Sequence, residues 1–275
     1  MKGPGRSCNK GKEMRMGKVK KAFLSVLCVI IPMINILAPK AAGAVTSREI
    51  LEKVDDLWRG ESSYAEMSME VITVHWKRSL KIKAWSLGKD YSLLVITYPP
   101  RERGVATLKT KKEIWNYLPR VNRVIKVPTS MMMAGWMGSH FTNDDLVKES
   151  RMSEDYDSRI TFEGKRGGMP VYEITLIPKP DAPVVWGKIL ITVRRDELIP
   201  ITSLYYDEDG NLARTMTFSD VTRFGGRSLP ATMTLIPADK PTERTVIHYN
   251  EIKFGLGLKK DFFSIRNLSR RDLSQ

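Results

Sequence analysis

Cysteine is almost missing from this 275-residue chain: Cys8 and Cys28 are the only two, and both precede residue 45. The 231 residues beyond Ala44 therefore contain no disulfide and must be held by core packing, which one domain of that size can supply. Histidine is nearly as scarce, and His75, His140 and His248 lack the spacing of a metal site, so no metal is expected. Also missing are a GxSxG elbow, an HExxH helix and a phosphate-cradling glycine loop, which removes the sequence basis for those hydrolase, zinc and nucleotide chemistries. No Pro/Gly/Ser linker, repeat or low-complexity tract follows residue 45, so residues 45–275 read as a single domain.

Residues 1–44 have the pattern of an export segment. Lys2, Arg6, Lys10, Lys12, Arg15, Lys18, Lys20 and Lys21 precede an apolar run from Ala22 to Leu37, and Ala42-Gly43-Ala44 offers a small-x-small site, which predicts cleavage after Ala44. A retained anchor is the alternative, but the run has sixteen residues and contains Pro32 and Asn35, which is short for a span. A lipid anchor is disfavoured because Leu27 precedes Cys28 where a small residue is required. Without this segment the charge falls from +14 to +6, with 36 basic and 30 acidic residues. From Lys77 to Lys126 there are 13 basic residues against Asp90, Glu102 and Glu113. That excess is either a solvated face or a docking face for an anionic membrane surface or an acidic protein, with Lys109, Lys111 and Lys112 as its candidates. Lys81, Lys83, Trp85 and Trp115 add the aromatic interleaving of a nucleic-acid binder, but export argues against nucleic acid.

Thr46-Ser47-Arg48-Glu49 has the spacing of a capping box, and Ile50, Leu51, Val54, Leu57 and Trp58 follow at helical spacing, closed by Gly60. Beyond Ser63 the period becomes two. "MSMEVITVHW", "SLKIKAW", "YSLLVITY", "VATLKT", "EIWNYL" and "RVIKV" read as six strands. "RITFEG", "VYEITLI", "KILITV", "ITSLYY", "ARTMTF", "ATMTLI" and "TVIHYNEI" continue the pattern, with turns at Asp209-Gly210 and Gly225-Gly226. Between the two groups, Thr142 or Asn143 can cap a short helix with Asp144 and Asp145 in its first turn. The fold class is therefore mainly β with a few helices. So many antiparallel strands cannot stay flat with an apolar face uncovered, so the sheet is expected to curl around something that plugs it. Leu93 and Val95 point one way, Leu94 and Ile96 the other, so both faces of that strand need covering. The covers available to this reading are the first helix and the segment Met131–Phe141.

That segment, "MMMAGWMGSHF", carries four methionines, a tryptophan and a phenylalanine and no formal charge. Gly135 and Gly138 weaken it as a helix, and it is too short to span a membrane. Methionine adapts to irregular apolar partners, which suits a pliable lid over a cavity mouth; ordinary core plugging is the competing reading. Ser139, His140 and Asp144 lie close in sequence, but a catalytic triad needs a rigid scaffold, so no enzyme and no cofactor are expected, with a Ser139 esterase as the outlying alternative. Asp207 to Asn211, "DEDGN", places its glycine too early for a calcium loop and reads as a hairpin turn.

The block "EIWNYLPRVNRVIKVP" followed by "GSHFTNDDL" resembles the outer-membrane lipoprotein-sorting proteins related to the LolA and LolB carriers. The resemblance rests on Trp115, Tyr117, Leu118, Pro119, Arg120, Val121, Arg123, Val124 and Ile125, then on Gly138, Ser139, Phe141, Asp144, Asp145 and Leu146. His140 departs from it, standing where that family is expected to carry an acid. The resemblance implies an unclosed antiparallel β-barrel of about a dozen strands wrapped around a few helices, in a periplasmic monomer whose apolar cavity takes lipid or lipoprotein acyl chains for transfer between membranes. The lining expected here is Trp85, Trp115, Tyr117, Met131, Met132, Met133, Trp136, Met137 and Phe141. The alternative is an accessory subunit that docks on an inner-membrane transporter and binds no lipid.

Overall fold

The computed structural model describes residue 1 and residues 45–111, 113–148, 152–182, 184–269 and 271–274; the expected export segment and Lys112 lie outside the described residues. Each alternating run became a strand. The first six are β1 (Ser62–Ile72), β2 (Lys77–Leu87), β3 (Tyr91–Tyr98), β4 (Ala106–Thr110), β5 (Glu113–Leu118) and β6 (Arg123–Lys126). After the loop come β7 (Tyr156–Arg166), β8 (Met169–Pro178), β9 (Lys188–Arg194), β10 (Pro200–Tyr206), β11 (Leu212–Phe224), β12 (Arg227–Pro237) and β13 (Arg244–Phe254). They form one antiparallel sheet in the order β6-β5-β4-β3-β2-β1-β13-β12-β11-β10-β9-β8-β7, two meanders joined where β1 meets β13. The sheet does not close: β6 and β7 are its two edges.

Helix α1 (Ser47–Asp56) begins at the expected capping box, Thr46 Oγ1 accepting from the Glu49 amide at 3.2 Å while Glu49 Oε2 accepts from the Thr46 amide at 2.8 Å. It ends at Gly60, whose φ of +56° suits glycine and whose amide donates to Asp56 O at 3.1 Å. Ile50 and Leu51 are fully buried against Ile174, Leu176 and Ile189 of β8 and β9.

This one helix forces the sheet to curl. Ser47 Oγ donates to Ser158 O on β7, while at the other end of α1 Asp55 lies 4.0 Å from Lys89 in the β2–β3 turn. Eight strand spacings separate β2 from β7, roughly 38 Å if flat, whereas a ten-residue helix is about 15 Å long. Contact at both ends requires a strongly curved sheet with α1 inside the curve.

The opposite face of β2–β5 is covered by a segment that the sequence reading did not consider. Leu93, Val95, Ala106 and Leu108 pack against Phe263 and Leu268, with Leu258, Phe262 and Leu273 around them. The C-terminal residues beyond β13 are thus a third cover, correcting the assignment of all cover to α1 and the methionine segment. The physical requirement was read correctly, since Leu93 and Leu94 sit on opposite faces and both face protein.

The turns follow their residues. Asp207 Oδ1 accepts from the Asn211 amide at 2.8 Å, making "DEDGN" a hairpin turn between β10 and β11, and Gly225 and Gly226 turn β11 into β12 at φ +51° and +86°. Among the described residues no group of acids, histidines or cysteines is placed to hold a metal ion. Among them, too, no helix is long and apolar enough to cross a membrane.

Candidate functional site

A cavity of about 200 Å³ lies between the C-terminal half of α1 and the inner face of the sheet. Strand alternation supplies its wall. Ala65 and Met67 of β1, Leu94 of β3, Met233 of β12 and Ile247 of β13 face inward, and Val54 and Trp58 descend from α1. Trp58 is held there by its indole N–H, which donates to Pro230 O at 3.2 Å, and by Phe218, whose ring centroid is 5.8 Å away.

The methionine segment supplies one further wall. It forms two short 3₁₀ turns, Thr129–Met131 and Trp136–Gly138, before α2 (Asn143–Lys148). Trp136 is 3% exposed and donates to Thr107 Oγ1 of β4 at 3.1 Å; Phe141 is buried beside α1, and both reach the cavity. Thr142 is the cap expected for α2, its Oγ1 accepting from the Asp145 amide at 3.1 Å and its own amide donating to Asp145 Oδ2 at 2.7 Å.

The segment is fastened along its length. Asn143 Nδ2 donates to Met131 O at 3.0 Å, Arg78 donates to Met137 O at 2.6 Å and pairs with Glu102, and His140 bonds Thr245 Oγ1 at 2.8 Å and Glu243 Oε2 at 3.1 Å. His140 therefore has a structural role, and its bond helps hold the Glu243 carboxyl below the usual carboxylate range. Ser139 Oγ faces Phe141 O at 3.3 Å while the His140 ring is engaged with Thr245 and Glu243, so the sequence neighbours Ser139 and His140 are not joined as nucleophile and base.

The expected lining residues divide into three groups. Trp136 and Phe141 stand on the cavity wall, and part of Trp85 reaches it. Trp85 directs its ring to the outer face, with centroids 5.3 Å from Tyr64 and 5.9 Å from Phe262. Trp115 and Tyr117 also lie on the outer face, paired across the sheet with Leu108 and Ala106 beneath the C-terminal cover. They do not line the cavity, because on β5 the inward set is the one containing Ile114 and Asn116. Met131 and Met133 are 52% and 47% exposed, Met132 is half-buried, and Met137 packs on the cluster of Met67, Met69, Leu80 and Ile82. None of these four methionines lines the cavity.

The expected docking cluster is also divided. Lys109 is 3% exposed, faces the cavity and donates its ammonium to Lys89 O at 2.7 Å, so it belongs to no exposed basic face. The cause is alternation: Lys109 shares the inner face of β4 with Thr107. Lys111, in the β4–β5 turn, is exposed.

Two features at the cavity escaped the sequence reading. Asp55 is 8% exposed with a buried Oδ2 that accepts no hydrogen bond, and burial pushes its carboxyl up to about 7 against the pull of Arg59 and Lys89. Its helical spacing beside Val54 was the available signal. The second is the Arg214–Asp145 pair, bidentate at 2.7 and 2.6 Å with side chains 5% and 7% exposed, the guanidinium lying over Tyr205 at 4.2 Å and Trp186 at 4.4 Å. No local signal marks a pair 69 residues apart.

A family model described as "-like: Uncharacterized protein" matches residues 88–270, more than half of the chain. The chain belongs to that family. Among solved structures it is similar to a DUF1329 family protein from Desulfovibrio piger, at 23% identity and TM-score 0.74 over 80% of this chain and 97% of that one. A domain named for outer membrane lipoprotein sorting, from Vibrio parahaemolyticus, matches at 22% identity and TM-score 0.71 over 81% and 98%. A LolA superfamily protein from Nitrosomonas europaea matches at 22% identity and TM-score 0.69 over 82% and 100%. No curated protein matches the chain. At these identities the likeness is one of fold: the family member described here has the LolA-like architecture, an open antiparallel sheet around a few helices.

Proposed function

We propose that this protein is a non-enzymatic periplasmic carrier, exported with residues 1–44 removed, that shields lipid or lipoprotein acyl chains in the cavity between α1 and the sheet. The observation that carries the reading is an apolar cavity bounded by α1 and Trp136 inside a sheet whose LolA-like relatives include one named for lipoprotein sorting. Burial of apolar surface supplies affinity at roughly 25 cal/mol per Å², reduced by the cost of ordering the chain. A cavity of about 200 Å³ is small for a long chain, so loading displaces α1 or the loop from the sheet, and the same displacement releases the cargo. Trp136 and Phe141 then contact the chain directly, while Met131 and Met133 form an outer lip that meets donor or acceptor. An inner-membrane transporter and an anionic membrane surface are the candidate partners for this reading.

Native mass spectrometry of the exported protein tests it. The expected spectrum shows a monomer beginning at Val45 that retains lipid or takes up added lipid. A lipid-free protein that takes up none overturns the carrier reading in favour of an accessory subunit.

A further inference from the structure

The cavity is not apolar throughout. One row of the sheet register crosses β1 to β4 as Ser63, Ser86, Ser92 and Lys109, each paired with the next, and all four line the cavity. Ser63 Oγ donates to Trp58 O at 3.2 Å and lies 2.7 Å from Ser86 Oγ, so the hydrogen of that pair comes from Ser86. From the α1 side Asp55 joins the same wall, 8% exposed, and its Oδ2 accepts no hydrogen bond. The nearest cation, the Lys89 ammonium, stands 4.0 Å from that oxygen, too far for a direct bond. A buried carboxylate oxygen on a cavity wall is a demand that a ligand carrying a donor can meet.

The charges at this end favour a head of neither sign. Burial raises the Asp55 carboxyl, Arg59 and Lys89 lower it, and Glu154 and Glu52 raise it again, so cations and carboxylates act here together. Lys109 is engaged within the protein, its ammonium donating to Lys89 O at 2.7 Å, and Asp145, the other carboxylate on the wall, is engaged by Arg214. An anionic head would meet the field of Asp55, Glu154 and Glu52, and a cationic head that of Arg59 and Lys89. Either would also surrender its hydration on entering.

We propose that this end of the cavity seats an uncharged, hydroxyl-bearing head group whose O–H donates to Asp55 Oδ2, so that the ligand is a neutral hydroxylated amphiphile with its chain directed toward Trp136 and Phe141. The inference rests on the carrier reading and specifies its ligand. The serine row faces the head from the sheet, and hydroxyls, which both donate and accept, match a neutral head. Above about pH 7 Asp55 is ionised and its bond to the head is charge-assisted. A head without a donor gains only the apolar wall.

The test compares decanol with 1-fluorodecane, which has the same shape and no donor, and with decanoate and decylammonium, by tryptophan fluorescence of the exported protein at pH 8. Decanol is expected to bind about tenfold or more tighter than 1-fluorodecane and tighter than either charged amphiphile. Asp55→Leu, which removes the acceptor at similar volume, should bring decanol and 1-fluorodecane to within about threefold of each other without weakening 1-fluorodecane. Asp55→Asn, which keeps one acceptor oxygen without the charge, should fall between. Equal binding of decanol and 1-fluorodecane by the wild-type protein overturns the proposal and leaves the carrier reading intact, as does a preference for decanol that survives Asp55→Leu. Tighter binding of decanoate or decylammonium than of decanol overturns it in favour of a charged head. Absence of binding by all four compounds overturns both readings.

Discussion

Replacing Asp55 with Asn probes the energetics of the cavity independently of any ligand. In the folded protein the carboxyl is 8% exposed and burial pushes it up to about 7. Arg59 and Lys89 pull it down, and Glu52 and Glu154 push it further up. Unfolded, it returns to the ordinary value of about 3.9. A carboxyl raised by folding binds its proton more tightly in the native state, so stability falls as pH rises from about 4 to about 7 and stays reduced above that. The two values set a ceiling of about 4 kcal/mol on the penalty at pH 8 and about 1.5 kcal/mol at pH 5, with none at pH 3. Relaxation around the carboxylate and loss of the Lys89 contact reduce the gain available to Asn to about 1–3 kcal/mol at pH 8. For a domain of this size that is a Tm increase of about 2–12 °C. Thermal denaturation of both proteins at pH 8 and pH 5 should show the advantage of Asp55→Asn shrinking by more than half at the lower pH. An equal advantage at both pH values, or a lower Tm at pH 8, would refute the reasoning, the latter by showing that the Asp55–Lys89 contact outweighs the cost of burial.

Arg214→Ala strands the buried Asp145 carboxylate of α2 and should cost about 3–5 kcal/mol, whereas Arg214→Met combined with Asp145→Leu should recover most of it. Chemical denaturation measures both, and a double variant no more stable than the single one would show that the pair supplies more than mutual neutralisation. Met131→Gln with Met133→Gln should change stability by no more than about 0.5 kcal/mol because both side chains are exposed, while Trp136→Ala should cost about 3–5 kcal/mol. A large loss from the methionine pair would show that the tip of the segment is part of the core.

Local chemistry made much of the architecture legible. The capping box at Thr46 and Glu49, Gly60 at the end of α1, the Thr142 cap and the glycine turns are decided by residues within a few positions of one another, and all appear as their side chains dictate. The thirteen alternating runs likewise announce strands, because a period of two is a property of the segment itself. The need to cover both faces of β3 was also visible, in the adjacent apolar residues Leu93, Leu94, Val95 and Ile96.

Alternation divides a strand into two sets of side chains but does not say which set faces inward when both are apolar. On β5 the set with Trp115 and Tyr117 carries the larger aromatics and looks like the cavity lining. It faces outward because Phe263 and Leu268, more than 140 residues later, return to cover it. The same alternation carries Lys109 inward to the charged end of the cavity, while Lys111 stays exposed in the turn. Asp145 finds Arg214 only because the curvature of the sheet brings β11 within reach of α2. The sequence by itself determined where the chain is helix, strand and turn, since those preferences are local. Which faces meet, and hence which residues bound the cavity, was decided by the tertiary structure, because burial is a property of surfaces brought together from distant parts of the chain.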